Sequence, residues 1–104
     1  MKEHSILGCG EWWDERHGVL IQWFDEREPW LVRHEVFHGP NRQKSIEYGL
    51  YVFLPPDAHN MANYGVHFNR PFEAYLQEVS QRRAMEHYGW SLDDWMKLIG
   101  RNYV

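Results

Sequence analysis

Apolar and aromatic positions along this chain fall into short extended runs in its first half and into helical spacing in its last third. "GVLIQWFD", residues 18 to 25, and "PWLVRHEVF", residues 29 to 37, are rich in β-branched and aromatic residues, and the charged "DERE" between them reads as the turn of a hairpin joining two strands. "LYVFL", residues 50 to 54, is a third strand-type run, stopped by Pro55 and Pro56, which cannot donate ladder hydrogen bonds. Between these runs the polar "NRQKSIEYG" has weak helical character, and Gly49 is placed to end one turn in the left-handed conformation. A short helix carrying His59 is expected from Asp57 to Asn63, with Asp57 as its N-cap.

Beyond residue 70 the rhythm changes to that of a helix. Phe72, Tyr75, Leu76 and Val79 fall on one helical face, Pro71 is tolerated in the first turn, and Gly89 ends the segment. Ser91 and Asp94 then make a capping box that starts a last helix through about Leu98, on which Trp95 and Met96 are read as core. The first ten residues, with Gly8, Cys9 and Gly10, look loosely ordered. No repeat, low-complexity tract or linker divides the chain. The expectation is one small α+β domain over residues 1–104: a Trp-rich N-terminal β-hairpin region (1–32), a strand–strand–helix core (33–67) and two C-terminal helices (70–99).

A chain of 104 residues buries one core and no more. Six Trp, six Tyr and five Phe build that core, or a binding face, from flat rings. The net charge of −4 argues against coating nucleic acid by bulk electrostatics, which needs clustered cations. A local patch remains in Arg33, Arg42 and Lys44, candidates for nucleic-acid contact. Cys9 is the only cysteine, so neither a disulfide within the chain nor a zinc site with two thiolates can form. Neither a run of 18 apolar residues nor a signal pattern is present, so no membrane partner is expected and a cytoplasmic location is the default.

Seven histidines are many for this length. His4, His17 and His87 are read as surface or hydrogen-bonded residues. His34, His38, His59 and His67 occupy a strand end, the loop after it, a short helix and the segment just beyond. A strand–loop–strand–helix layout of this kind can bring imidazoles to one divalent ion while leaving positions open for phosphate oxygen and water.

The residues Arg33, His34, Glu35, Val36 and Phe37, then Asn41, Arg42, Ser45, Tyr48, Gly49 and Leu50, then His59, and finally Val66 and His67, form a pattern that resembles the ββα-metal core of HNH (His-Me finger) endonucleases. The likeness is greatest to small phage and prophage HNH-like proteins, and the closing "IGRNYV" is similar to the "FGKNYL" type of ending they carry. It covers residues 33 to 67 well and 81 to 103 loosely, and leaves the first 30 outside.

The resemblance implies one-metal hydrolysis of DNA phosphodiester bonds in an infected or lysogenic bacterial cell. By position, His59 is the helix histidine that binds one cation of unspecified identity (Mg, Mn, Zn or Ni), and His67 supplies a further ligand. Two registers are open at the strand end: His34 as general base, or His34 as ligand with Glu35 as base. Asn41 takes the place of the middle Asn that bonds loop backbone, with Asn60 a weaker candidate. Relatives of this type carry two Cys pairs for a structural zinc. Here the second pair's positions are Pro55 and Ala58, and only Cys9 stands near the start, so no structural zinc is expected. The rings of Trp12, Trp13, Trp23, Phe24 and Trp30 are expected to replace it by burying area. The competing expectation is a frame without turnover that serves as an inhibitor of a host defence protein, for which an acidic chain rich in aromatic anchors is suited. A third is an accessory protein that binds DNA through the basic patch and leaves it intact. Dimerisation is compatible with each.

Overall fold

The computed structural model describes residues 4–61, 65, 66 and 69–104, the side chains of 60 and 61 excepted, so His67, Asn60's side chain and the end of the helix expected over 57–63 lie outside the described residues. The fold is α+β, with two antiparallel two-stranded ladders and three α-helices among the described residues. The first ladder pairs β1 (Gly10–Asp14) with β2 (Val19–Trp23), and the second pairs β3 (Val32–Glu35) with β4 (Tyr51–Leu54). Thus the strands expected within 18–25 and 29–37 are present but do not pair with each other across "DERE". The hairpin turn is at 15–18, and the β2 to β3 segment instead carries the chain from one ladder to the other.

That outcome follows from which side chains find cover. Along β2, Val19, Ile21 and Trp23 face the interior while Leu20 and Gln22 face out, and opposite them β1 turns Trp12 inward and Glu11 and Trp13 outward. Trp12 stacks on Phe72 at 5.4 Å between ring centres, and Trp23 packs against Phe72 and Tyr75. The hairpin is therefore closed locally and roofed by helix, which an isolated two-stranded ribbon needs for stability. Gly10, opposite Trp23 in the ladder, leaves room for that indole: a β-carbon there would lie 2.2 Å from the ring. The two ladders meet at one point, where Phe24 and Phe53 exchange backbone hydrogen bonds of 2.9 Å each.

The segment before β1, expected to be loose, is tied down over its described part. Ser5 donates from its backbone to Asp25 and from its hydroxyl to the Gly49 carbonyl, Ile6 donates to Gly49, and Leu7 is buried. Gly49 has the left-handed φ of +74° expected of it, and ends α1 (Arg42–Glu47) so that β4 can begin two residues later.

β4 is buried along its whole length, and its two faces serve different clusters. Val52 and Leu54 join the main core with Val36, Leu50, Phe72, Leu76, Ala84, Trp95 and Ile99. Tyr51 and Phe53 join Leu31 and Phe24 in a smaller cluster on the other side. α2 (Arg70–Tyr88) covers the main core through Phe72, Leu76, Ser80, Gln81 and Ala84. Asn69 caps its start by accepting from the Phe72 amide, and Gly89 ends it in the left-handed conformation. Tyr75, expected on the buried face, lies at its edge and is partly exposed.

α3 (Leu92–Ile99) starts with the expected capping box, the Ser91 hydroxyl accepting from the Asp94 amide and the Asp94 carboxylate from the Ser91 amide. The bond from the Ser91 amide first, and the nearby Ser91 hydroxyl second, hold the Asp94 carboxyl below the usual carboxylate range. Trp95 is fully buried, as expected, whereas Met96, also expected in the core, is 37 % exposed because it lies one position round the helix. The tail is fastened by Gln81, which donates to Asn102 and accepts from the Tyr103 amide, and by the Trp95 indole, which donates to the Arg101 carbonyl.

Candidate functional site

Three imidazoles come together where the ladder of β3 and β4 meets the segment after it. His34 lies on β3 opposite Val52, so strand alternation turns it to the main-core face, and it is only 2 % exposed. His38 follows in the loop, its ring centre 5.4 Å from that of His34. His59 lies in a short π-helical turn, Asp57–Met61, with its ring centre 5.5 Å from His34 in an edge-on arrangement. Pro56, just before the turn, is already helical, so Asp57 does not cap it. The turn is braced by a 3.1 Å bond from the His59 amide to the Pro55 carbonyl, and π-type turns of this sort are frequent at functional sites.

Ser45 sets the position of the loop holding His38. Fully buried on α1, it accepts from the Phe37 amide at 3.1 Å and donates to the Phe37 carbonyl at 3.0 Å, satisfying both backbone groups just beyond the end of β3. On the solvent side, His38 Nε2 lies 3.4 Å from the Glu73 carboxylate on the first turn of α2. Glu73 was not singled out from the sequence. It is 35 residues from His38, and no local spacing announces the contact.

Glu35 does not share this arrangement. It faces the opposite side of β3, where its carboxylate is 2.9 Å from Arg42 and 3.7 Å from Arg33. Arg33 itself lies over the Tyr51 ring at 5.7 Å. Lys44 donates its ammonium to the Leu98 carbonyl, and Asn41 donates its amide to the Ile99 carbonyl at 3.0 Å. The basic residues proposed for nucleic acid are thus engaged locally: two flank a carboxylate, and the third compensates the carbonyl end of α3. Asn41 does bond backbone, but that of the last helix.

As for an ion, no three His, Cys, Asp or Glu side chains among the described residues are grouped so as to close on one metal. Either imidazole of the His34 and His59 pair could hold an ion, and so few protein donors suit a transition ion that keeps water and phosphate oxygen as its other ligands better than a closed structural site. His67, expected as a further ligand, lies outside the described residues.

A second polar group was missed because its histidine was read as ordinary surface. Asp14, 2 % exposed at the end of β1, accepts from the His17 amide at 3.0 Å, lies 2.9 Å from His17 Nδ1, and accepts from the Asn69 amide group at 2.7 Å. Burial pushes its carboxyl up, but the bonds from His17 and Asn69 outweigh burial and hold it below the usual carboxylate range. The readable signal was Asp followed three residues later by His and then Gly, a side-chain-closed turn that also marks where the hairpin reverses. The expected burial of the Trp set is also only partial, since Trp13 and Trp30 are 55 % and 57 % exposed. No helix among the described residues is long and apolar enough to cross a membrane. No protein-family model, curated protein or solved structure matches the chain.

Proposed function

We propose that the chain is a metal-dependent endonuclease of the HNH type, cleaving DNA at the imidazole group of His34, His38 and His59. The supporting observation is the 5.5 Å approach of His34, on the first strand of a ladder, to His59, in the turn directly after its second strand. A divalent ion bound there would neutralise charge on a phosphate oxygen and ease deprotonation of water. In this reading His59 is the protein ligand. His34 takes the proton of the attacking water, its ring direction fixed by the core around Val52. His38, oriented by Glu73, returns a proton to the leaving oxygen. Strand alternation favours His34 over Glu35 as base, because the arginines hold Glu35 on the far face.

The test is incubation of supercoiled plasmid and single-stranded DNA with Mg²⁺, Mn²⁺, Zn²⁺, Ni²⁺ or EDTA, with His34→Ala and His59→Ala in parallel. Metal-dependent nicking lost in both variants is the expected result. No cleavage with any ion by folded protein would leave the frame as a binding module.

That second reading, an inhibitor docking on a host defence protein in the bacterial cytoplasm, is favoured by one observation. Trp13 and Leu20 are cross-strand partners on the outer face of the hairpin, and both are at least half exposed. Leu20→Asp is expected to abolish a stable stoichiometric complex while the chain stays folded by circular dichroism.

A further inference from the structure

A cavity of about 590 Å³ opens between the turn of the first hairpin and the first turn of α2. This lies within the range of small-ligand sites, roughly 300–1,000 Å³. Its walls include Trp12, Trp13, Asp14, Arg16 and Arg70. Trp12 is stacked on Phe72 and is part of the wall's support, whereas Trp13 is 55 % exposed and leaves its indole available to a ligand. Arg16 and Arg70 are exposed, and neither is paired with a carboxylate among the described residues, in contrast to Arg33 and Arg42. Of the two carboxylates in the wall, that of Asp14 is already answered by His17 and Asn69, and that of Glu15 is exposed and screened by solvent, so the two guanidinium groups set the sign of the site. A flat ring beside two uncommitted guanidinium groups matches a planar base joined to a phosphate.

We infer that this cavity binds one unpaired nucleotide of a DNA strand, its base stacked on Trp13 and its phosphate held by Arg16 and Arg70. The inference rests on the nuclease reading for its ligand class and adds a strand contact away from the histidines. Continuity of the two places supports a strand over a free nucleotide. Arg70 and Pro71 line the cavity, and Glu73, which holds His38, follows on the same helical turn, about 4.5 Å further along the axis from Arg70. The first turn of α2 thus joins the wall of the cavity to the carboxylate beside His38, which a strand leaving the cavity along that turn would follow. The base must be unpaired, because a duplex keeps its faces stacked internally.

The experiment is fluorescence anisotropy of an end-labelled 12-nucleotide single strand in EDTA, where binding is read without cleavage. The proteins are the full chain, Trp13→Ala, Trp13→Phe and the double variant Arg16→Ala/Arg70→Ala, each checked for folding by circular dichroism. Competitors are the matching duplex and a free deoxynucleoside monophosphate. Expected are weakening by about five- to 150-fold in Trp13→Ala and substantial retention in Trp13→Phe. In the double variant, the slope of log affinity against log salt should fall by about 0.7, corresponding to the one phosphate the two guanidinium groups share. Equal binding by all variants, absence of binding by the folded full chain, or a monophosphate competing as well as the strand would each overturn the inference. Plasmid nicking by the same preparations reads the nuclease proposal separately: Trp13-dependent binding without any cleavage would sink that proposal and keep this one, and cleavage with Trp13-independent binding would do the reverse.

Discussion

His34 and Glu35 are consecutive in the chain and belong to different sides of the protein: His34 faces the main core and the His59 ring, while Glu35 lies between Arg33 and Arg42 beside the smaller aromatic cluster. A single peptide bond separates a candidate base from a carboxylate held by two arginines. Glu35→Gln is accordingly expected to leave metal-dependent nicking within a few-fold of the original, since its carboxylate lies across β3 from the histidines and the substituted amide keeps a neutral acceptor for the two arginines. His34→Ala is expected to lower it by about 10²–10⁴-fold, the usual share of a general base. Loss of nicking in Glu35→Gln with His34→Ala still active would reverse the assignment.

Ser45 answers both backbone groups of Phe37 from a fully buried position. Ser45→Ala strands an amide and a carbonyl in a buried position. It should cost about 1–3 kcal/mol in urea unfolding. The same variant should broaden the His38 ring signals in NMR, because Phe37 is its chain neighbour. Unchanged stability would show that another group takes over the bonds.

The Asp14 carboxyl is held below its ordinary value in the folded protein, so the unfolded chain binds the proton more readily. Its contribution to stability is present above the unfolded value of about 3.9 and disappears as the pH falls through the lower folded value. Asp14→Asn is expected to lose about 2 kcal/mol at pH 7, in line with hydrogen bonds to a buried charge. The gap between the two proteins should narrow below pH 4 in chemical denaturation. A gap that stays constant down to pH 2 would contradict the assignment.

Asn41 and Lys44 fasten the end of α3 by bonds to the carbonyls of Ile99 and Leu98. Lys44→Ala should therefore raise amide exchange in the last turn of α3 and leave DNA affinity and its salt slope unchanged. A drop of about 0.7–0.9 in that slope would instead mark Lys44 as a phosphate contact.

The elements whose side-chain rhythm is set within their own length were legible in the sequence. The capping box at Ser91, the helix ended by Gly89 and the apolar run of β4 need no distant partner to declare themselves. Strand pairing was not legible, because two charged turns, 15–18 and 25–28, compete for β2, and the choice rests on whether Trp12 finds Phe72, 60 positions away. The approach of His34 and His59 followed from element order, but Glu73 beside His38 and Asn69 beside Asp14 join segments 35 and 55 residues apart, and no local pattern encodes such contacts. Met96 was misplaced for a smaller reason: adjacent positions on a helix differ by about 100°, so Trp95 can be buried and its neighbour exposed.

Gly10 lies outside the lining of the cavity beside Trp13, yet the space a methyl group would need there is filled by the Trp23 ring. In a saturation mutagenesis screen scored by nicking, position 10 would stand out as intolerant to every replacement, alongside the true chemistry. Its intolerance would be inherited from residue 23, so a smaller side chain at 23 should restore alanine at 10. A map of mutational sensitivity would thus trace two overlapping patterns in this protein, one drawn by reactivity and one by the volume of an indole.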